Sequence, residues 1–99
     1  AIRGYHLSIV GQYIYLAAGE GGLRIYDRNL TEVGKQTDVN LDLRNFVVDG
    51  HYIYGIDNSN RFYILDTSVK TNPKLLITYN NIGSNIHDIA LQYITNIRT

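Results

Sequence analysis

The chain repeats itself with a period of 39 residues, so that residues 5–27 align with residues 44–66 without a gap. The identical pairs are Gly11/Gly50, Tyr13/Tyr52, Ile14/Ile53, Tyr15/Tyr54, Ile25/Ile64 and Asp27/Asp66. Apolar character is kept at Leu7/Phe46, Ile9/Val48, Leu23/Phe62 and Tyr26/Leu65. A repeat of this length is one supersecondary unit that cannot bury its apolar surface alone, so such units must stack on one another.

Both copies have the pattern of short β-strands separated by turns. Leu7 and Ile9, like Phe46 and Val48, alternate with other residues, as the side chains of a half-buried strand do. A glycine then predicts a tight turn, because glycine adopts positive φ without strain. The further predicted strands are 13–18, 23–27 and 32–37 in the first copy and 52–57, 62–66 and 74–79 in the second. Apolar spacing of three and four residues is never sustained, so no helix is predicted.

Four strands in a unit of about forty residues are typical of a β-propeller blade. The fold class predicted is therefore all-β: a partial β-propeller with two four-stranded antiparallel blades and the start of a third. We expect the blades at about 5–38 and 44–80 and the partial blade at 85–99, all within one domain. The third copy aligns in two ways, either by keeping Gln92-Tyr93-Ile94 or by setting Ile89 and Leu91 opposite Leu7 and Ile9.

The number of blades in the chain is too small for a closed propeller. Closed propellers use about four to eight blades, and two and a half cannot close a ring. We expect either the remaining blades of a longer chain or copies of this chain to complete the ring. The first of these is favoured.

Several stretches of both copies match the repeat unit of a known family. Those in the first copy are Val10 to Ala17 and Gly22-Leu23-Arg24-Ile25-Tyr26-Asp27. Those in the second copy are Gly50 to Tyr54, Phe62 to Asp66 and Asn72-Pro73, with Arg61 in place of the turn glycine. These stretches resemble the LVIVD repeat, and the resemblance covers about residues 5 to 94. It implies a propeller of a bacterial or archaeal surface or secreted protein, and it implies no shared catalytic residues.

Composition narrows the class of partner. The 99 residues carry nine basic and nine acidic side chains and no net formal charge, whereas nucleic-acid-binding surfaces show clustered Lys and Arg. No run of about 18 apolar residues predicts a membrane span in this segment. Cysteine is absent, which excludes disulfides and thiolate metal sites. We therefore expect no nucleic-acid partner.

The candidate ligand-binding residues lie where the first strand of each blade begins. In a propeller these strands line the central channel, so the residues that enter them collect at the channel rim. Polar groups that converge there from successive blades are suited to a metal, an anion or a polar substrate. The residues concerned are His6, Arg44, Asn45, His87 and Asp88. A rim that is merely solvated is the other interpretation, and no catalytic residue, metal ligand or cofactor is predicted.

Two other groups of residues have a structural and a functional interpretation. Asp27 and Asp66 follow the third strand of each copy, where a carboxylate is expected to accept backbone N–H groups in an Asx turn rather than act in acid–base catalysis. The tyrosines that alternate on the second strands are expected to pack between blades. Their other possible role is to stack against sugars. These tyrosines are Tyr13, Tyr15, Tyr52 and Tyr54.

The function expected from the sequence is that of a non-catalytic module on a prokaryotic cell surface or in a secreted protein. Rigid blades would hold rim loops that contact a protein or a glycan. One alternative is part of a propeller enzyme with its active site in the central channel. Another is a self-assembling partial propeller with a lectin-like site repeated by symmetry.

Overall fold

The computed structural model of the chain describes residues 3–59 and 61–80, and these ranges contain eight β-strands. In the first repeat the strands are β1 (His6–Val10), β2 (Tyr13–Ala17), β3 (Leu23–Asp27) and β4 (Glu32–Gln36). In the second they are β5 (Asn45–Asp49), β6 (Tyr52–Ile56), β7 (Phe62–Asp66) and β8 (Lys74–Tyr79). The predicted strands are confirmed, with ends that differ by about one residue.

The strands form two antiparallel sheets, ordered β1-β2-β3-β4 and β5-β6-β7-β8. Every neighbour in a sheet is also the neighbour in the chain, so each sheet is a simple meander. The prediction of two four-stranded antiparallel sheets is confirmed. The predicted third unit, 85–99, lies outside the described residues. In the part of the chain that is described, no helix is long and apolar enough to cross a bilayer.

Conserved turn chemistry within the repeat closes the first hairpin of each sheet. Gly11 and Gly50 both have φ of 59°, a value that L side chains rarely adopt and glycine adopts freely. Each glycine begins the two-residue connection to the next strand, since Val10 pairs with Tyr13 and Asp49 pairs with Tyr52. The repeated glycine is therefore explained by backbone conformation.

The turn after the third strand is stabilised by an aspartate, as predicted. In the first sheet, Asp27 Oδ1 accepts the N–H groups of Asn29 at 2.9 Å and Thr31 at 3.0 Å. In the second sheet, Asp66 Oδ1 accepts the N–H of Ser68 at 2.8 Å. This backbone hydrogen bond is the main reason why the pKa of Asp66 lies below its ordinary value. Both carboxylates are thus engaged in Asx turns, and the structural interpretation is confirmed.

One residue of the Asp27 turn is strained, and its replacement should stabilise the protein. Leu30 is exposed and has φ of 66°, a conformation that costs a residue with a side chain about 1–2 kcal/mol. Leu30→Gly should raise the free energy of unfolding by about 1 kcal/mol, after the greater flexibility of the unfolded chain is subtracted. Urea unfolding measures the change. Asn29→Gly, in the same turn but without positive φ, should not stabilise, and equal effects of the two substitutions would contradict this explanation.

Each sheet has two faces, which the pairing of the strands defines. We call the side that carries Tyr15 the front face of the first sheet, and the side that carries Leu7 and Ile9 its back face. Directly paired residues share a face, so Ile25 lies with Tyr15 on the front. By the repeat, Tyr54 marks the front face of the second sheet. Its back face carries Phe46, Val48, Ile53, Gly55, Tyr63, Leu65, Leu75 and Thr78.

The core lies between the front face of the first sheet and the back face of the second. The first sheet contributes Tyr15, Ala17, Leu23 and Ile25, and the second contributes Phe46, Ile53, Tyr63 and Leu65. Leu41 and Leu43, from the connection between the sheets, complete this buried cluster. The two repeats therefore stack front to back, and β1 approaches β5 in this arrangement.

Hydrogen bonds and one close backbone approach join the two sheets. The N–H of Gly19 donates to the carbonyl of Leu43 at 2.7 Å, and the N–H of Leu43 donates to the carbonyl of Gly19 at 3.0 Å. The side-chain amide of Gln36 donates to the carbonyl of Pro73 at 2.8 Å. Close approach requires a glycine at Gly34, because a Cβ there would collide with the carbonyl oxygen of Lys70. The two sheets are thus joined by hydrogen bonds as well as by apolar packing.

Candidate functional site

The candidate residues lie at the end of the sheets where β1 and β5 begin. We call this end the upper rim. It consists of Tyr5, the turn 18–22, the connection 37–44 and the turn residues 57–59 and 61. His6 and Asn45 begin β1 and β5, directly at this rim. The structure therefore brings His6, Arg44 and Asn45 to one end of the molecule, while His87 and Asp88 lie outside the described residues.

Arg44 is the most strongly held of the predicted residues. Its Nε donates to Asp42 Oδ1 at 2.7 Å, and its Nη2 lies 3.4 Å from Oδ2 of the same carboxylate. The guanidinium also lies over the ring of Tyr5, 4.2 Å from its centroid, in a cation–π contact. The hydrogen bond that Arg44 donates to the Asp42 carboxylate is the main reason why the pKa of Arg44 is raised. About a quarter of the side chain, 26%, stays exposed.

His6 and Asn45 have local structural roles. The His6 ring meets the ring of Phe46 edge-on, with centroids 4.8 Å apart and planes at 89°. It therefore packs between the two sheets and is half-buried. Asn45 Oδ1 accepts the N–H of Phe46 at 2.8 Å. Of the predicted residues that the structure describes, Arg44 is the one whose charged group remains partly open to solvent at the rim.

A second set of rim residues forms a polar network that the sequence did not predict. Oδ1 of Asp57 accepts the N–H groups of Ser59 at 2.7 Å and Arg61 at 3.1 Å. Oδ2 accepts Arg61 Nε at 2.6 Å and the Tyr63 hydroxyl at 2.8 Å. The signal that could have revealed the network was Arg61, which occupies the position of the turn glycine four residues after Asp57.

Tyr63 connects this network to Arg44. Its hydroxyl donates to Asp57 and accepts the backbone N–H of Asp42 at 3.3 Å, and the Asp42 carboxylate in turn holds Arg44. A continuous chain of polar contacts therefore joins the connection between the sheets to the turn before β7. It holds two guanidinium groups, Arg44 and Arg61, in fixed positions at the rim.

Burial and hydrogen bonding set the protonation of the network. Burial by itself raises the pKa of Asp57, but the N–H groups of Ser59 and Arg61, the Tyr63 hydroxyl and the charge of Arg61 outweigh it. The pKa of Asp57 is therefore below its ordinary value, and this residue is a carboxylate at neutral pH. Burial and the hydrogen bond to Asp57 raise the pKa of Tyr63 to about 12. Tyr63 is thus held protonated as a donor.

The raised pKa predicts an alkaline transition that depends on Tyr63. Because the folded pKa of about 12 exceeds the ordinary value of about 10, the unfolded state loses its proton first. The contribution of Tyr63 to stability should be complete below about pH 10 and should be lost as the pH rises to about 12. The free energy of unfolding should fall less steeply across this range in Tyr63→Phe than in the wild type. If the free energy of unfolding fell equally steeply with pH in both proteins, the raised pKa of Tyr63 would be contradicted.

The remaining candidate groups are the tyrosines of the second strands and His51. Tyr15 and Tyr54 are buried, and Tyr13 and Tyr52 are half-buried. Tyr13 and Tyr15 pack between the two sheets, which confirms the expected role of this pair. His51 is exposed in its turn. Among residues 3–59 and 61–80, no group of three or more His, Asp or Glu side chains is placed to hold a metal ion.

Comparison with known proteins identifies the repeat. The LVIVD repeat profile matches residues 5–27 and 42–81, which together are more than half of the chain. The matched segments contain all strands of the two sheets except β4. No curated protein and no solved structure matched the chain. The extent of the profile match, and its agreement with the two strand-forming repeats, show that the chain belongs to the LVIVD repeat family.

Proposed function

We propose that this chain is a non-catalytic β-propeller module of a prokaryotic cell-surface or secreted protein, and that its upper rim contacts a protein or glycan partner. The observation that carries the proposal is the front-to-back packing of the two repeat sheets, with β1 near β5. In a propeller, successive blades stack in this way and their first strands surround the central axis. The second sheet thus relates to the first as one blade relates to the next.

The polar network supports a binding role for the rim. Arg44 and Arg61 are each held by a carboxylate, and 26% and 31% of their side chains stay exposed. A guanidinium whose position is already fixed loses less conformational entropy when a partner binds. Its remaining N–H groups can donate to carboxylates, hydroxyls or carbonyls. These are the groups that glycans and protein surfaces present.

The same network supports a non-catalytic role. General base catalysis needs a group that can accept a proton near neutral pH. Tyr63 keeps its proton up to about pH 12, and the lowered pKa of Asp57 makes it a weak base. Asp57 also receives four hydrogen bonds from neighbouring groups. The arrangement is therefore suited to holding side chains in place.

A binding experiment on immobilised glycans, neutral and acidic, tests the role of the rim. Arg44→Gln and Arg61→Gln should each weaken binding about tenfold or more, since a hydrogen bond from a charged donor contributes about 1.5–3 kcal/mol. Arg28→Gln is the matched control, because Arg28 lies at the opposite end and donates to the carbonyl of Gly11. If Arg28→Gln alone weakened binding, the contact with the glycan would lie at the opposite end of the sheets. Cleavage of a bound glycan would favour the enzyme alternative.

The proposed location can be tested independently. Intact cells of the source organism, treated with an added protease, should lose the signal of an antibody raised against this chain. A cytoplasmic marker should persist in the same cells. Protection of the chain until the cells are lysed would contradict a surface location.

A further inference from the structure

The turn between β3 and β4 carries a sequence motif that the proposed function does not use. Residues Asn29-Leu30-Thr31 match the pattern Asn-x-Ser/Thr, with a residue other than proline in the middle, which is the acceptor pattern for N-linked glycosylation. No other asparagine among the 99 residues has a serine or threonine two positions later. The equivalent residues of the second repeat are Ser68-Val69-Lys70, so the motif does not follow from the repeat pattern.

The structure places the whole motif in an exposed turn. Residues 28–32 are all exposed, and Leu30 in the middle of the motif is 73% exposed. The N–H of Leu30 donates to the carbonyl of Asp27 at 3.1 Å, so the chain reverses direction at the motif. An acceptor asparagine must be reached by the enzyme that transfers the glycan, and it therefore belongs in a surface loop. Asn29 meets this requirement.

The turn is held without the side chains of Asn29 and Thr31. The backbone N–H groups of these two residues donate to Asp27 Oδ1 at 2.9 and 3.0 Å, and the carbonyl of Thr31 accepts the N–H of Asp27 at 2.9 Å. Within residues 3–59 and 61–80, neither the Asn29 amide nor the Thr31 hydroxyl makes a hydrogen bond. A glycan attached at Asn29 therefore breaks no side-chain contact of the described fold.

We propose that Asn29 is an N-glycosylation site of this protein. In the reaction, Nδ2 of Asn29 forms a bond to the anomeric carbon of a glycan that is carried on a polyprenyl diphosphate. The bond between that carbon and the diphosphate oxygen breaks, and the polyprenyl diphosphate leaves with the electron pair. The amide nitrogen loses one proton. The product is a bulky, solubilising group on the protein surface.

The glycosylation site rests on one part of the proposed function, the surface or secreted location, because this modification belongs to surface loops of secreted proteins. It does not depend on a partner at the upper rim. β3 begins at Leu23, beside the rim turn 18–22, and ends at Asp27, which pairs with Tyr13 at the other end of the sheet. The modified turn therefore lies opposite the upper rim and leaves the rim open to a partner.

Peptide mass spectrometry of the protein purified from its source organism tests the proposal. Trypsin cleaves after Arg28 and Lys35 and releases residues 29–35, or residues 25–35 where a glycan on Asn29 blocks the first cleavage. One of these peptides should carry the added mass of a glycan, and fragmentation that leaves the glycan attached should locate it on Asn29. The peptide of residues 45–61 is the internal control, since its three asparagines lie outside the motif and should be unmodified.

Substitutions at Thr31, introduced in the source organism, separate the motif from the fold. Thr31→Val removes the hydroxyl but keeps the branched side chain and the backbone N–H that donates to Asp27. The glycan on Asn29 should therefore be lost while the circular dichroism spectrum of the purified protein is unchanged. Thr31→Ser keeps the motif and should keep the glycan. A glycan that persists in Thr31→Val, or a glycan located on the Thr31 oxygen in the wild type, would overturn the proposal.

The glycosylation site and the proposed function can fail separately. If residues 29–35 were unmodified in a protein that added protease reaches on intact cells, the glycosylation site would be overturned and the surface location would stand. If these residues were unmodified and the chain were protected until lysis, both would be overturned. If Asn29 carried a glycan but Arg44→Gln and Arg61→Gln left glycan binding unchanged, the binding role of the rim alone would be overturned.

Discussion

Asp57→Ala should lower the free energy of unfolding by about 3 kcal/mol, because it removes a buried carboxylate that serves several donors at once. The substitution leaves the Tyr63 hydroxyl and the N–H groups of Ser59 and Arg61 without their acceptor. It also leaves the Arg61 guanidinium without its ion pair, in which Nε and Oδ2 are 2.6 Å apart. Urea or guanidinium unfolding, followed by circular dichroism, measures the loss.

Asp57→Asn is the matched control for this substitution. The amide keeps an oxygen that can accept the two N–H groups of the turn, but it carries no charge to pair with Arg61. The free energy of unfolding should therefore fall by about half as much as in the alanine variant. The pH dependence gives a second check. The lowered pKa of Asp57 means that its contribution is present above about pH 4 and is lost as the pH falls through the folded pKa. The difference in the free energy of unfolding between the wild type and Asp57→Ala should therefore become smaller at acidic pH. A difference that stays constant with pH would contradict the role of the charge.

Tyr15→Ala should be at least as damaging, with a loss of about 4 kcal/mol, as expected when a large aromatic side chain is removed from a core. Tyr15 lies on the front face of the first sheet, where it is 2% exposed and packed against the second sheet. The substitution removes the ring from the interface between the repeats and leaves a cavity there. Thermal or chemical unfolding of the purified chain measures the change.

The matched control for Tyr15→Ala lies on the opposite side of the same sheet. Tyr26 is on β3, pairs with Ile14 and is only half-buried on the back face. Tyr26→Ala should cost about 1 kcal/mol, since the side chain loses little buried area. Equal losses for the two variants would contradict the front-to-back packing, because both faces would then contribute equally to the core.

Tyr15→Ala and Asp57→Ala test different interactions in the fold. Tyr15 reports on packing between repeats, which every stacked repeat needs. Asp57 reports on a network that the first repeat lacks, because Ala18, Gly22 and Arg24 occupy the positions of Asp57, Arg61 and Tyr63. The loss of stability in Tyr15→Ala tests the stacking of the sheets. The loss of stability in Asp57→Ala tests the polar network that distinguishes the rim of the second sheet.

The upper rim was only partly predictable. His6, Arg44 and Asn45 were assigned to one end from their position before the first strands, and the structure places them there. The sequence did not predict that His6 would pack on Phe46, because the two residues meet across different sheets. It also did not predict the link from Asp42 to Tyr63, which joins residues 21 positions apart. Contacts of this kind depend on how the sheets are placed, and no local pattern encodes them.

The sequence by itself determined the strands, their turns and the family. Period-two alternation fixes which residues form strands, Gly11 and Gly50 fix the tight turns through positive φ, and Asp27 and Asp66 satisfy nearby backbone donors. These are interactions over a few residues, and the chain carries them twice. Only the tertiary structure decided which face of each sheet is covered, because both faces of the first sheet are apolar and alternation cannot tell them apart. That choice follows from the stacking of one repeat on the next, which buries Tyr15 against the second sheet and leaves Leu7 and Ile9 exposed.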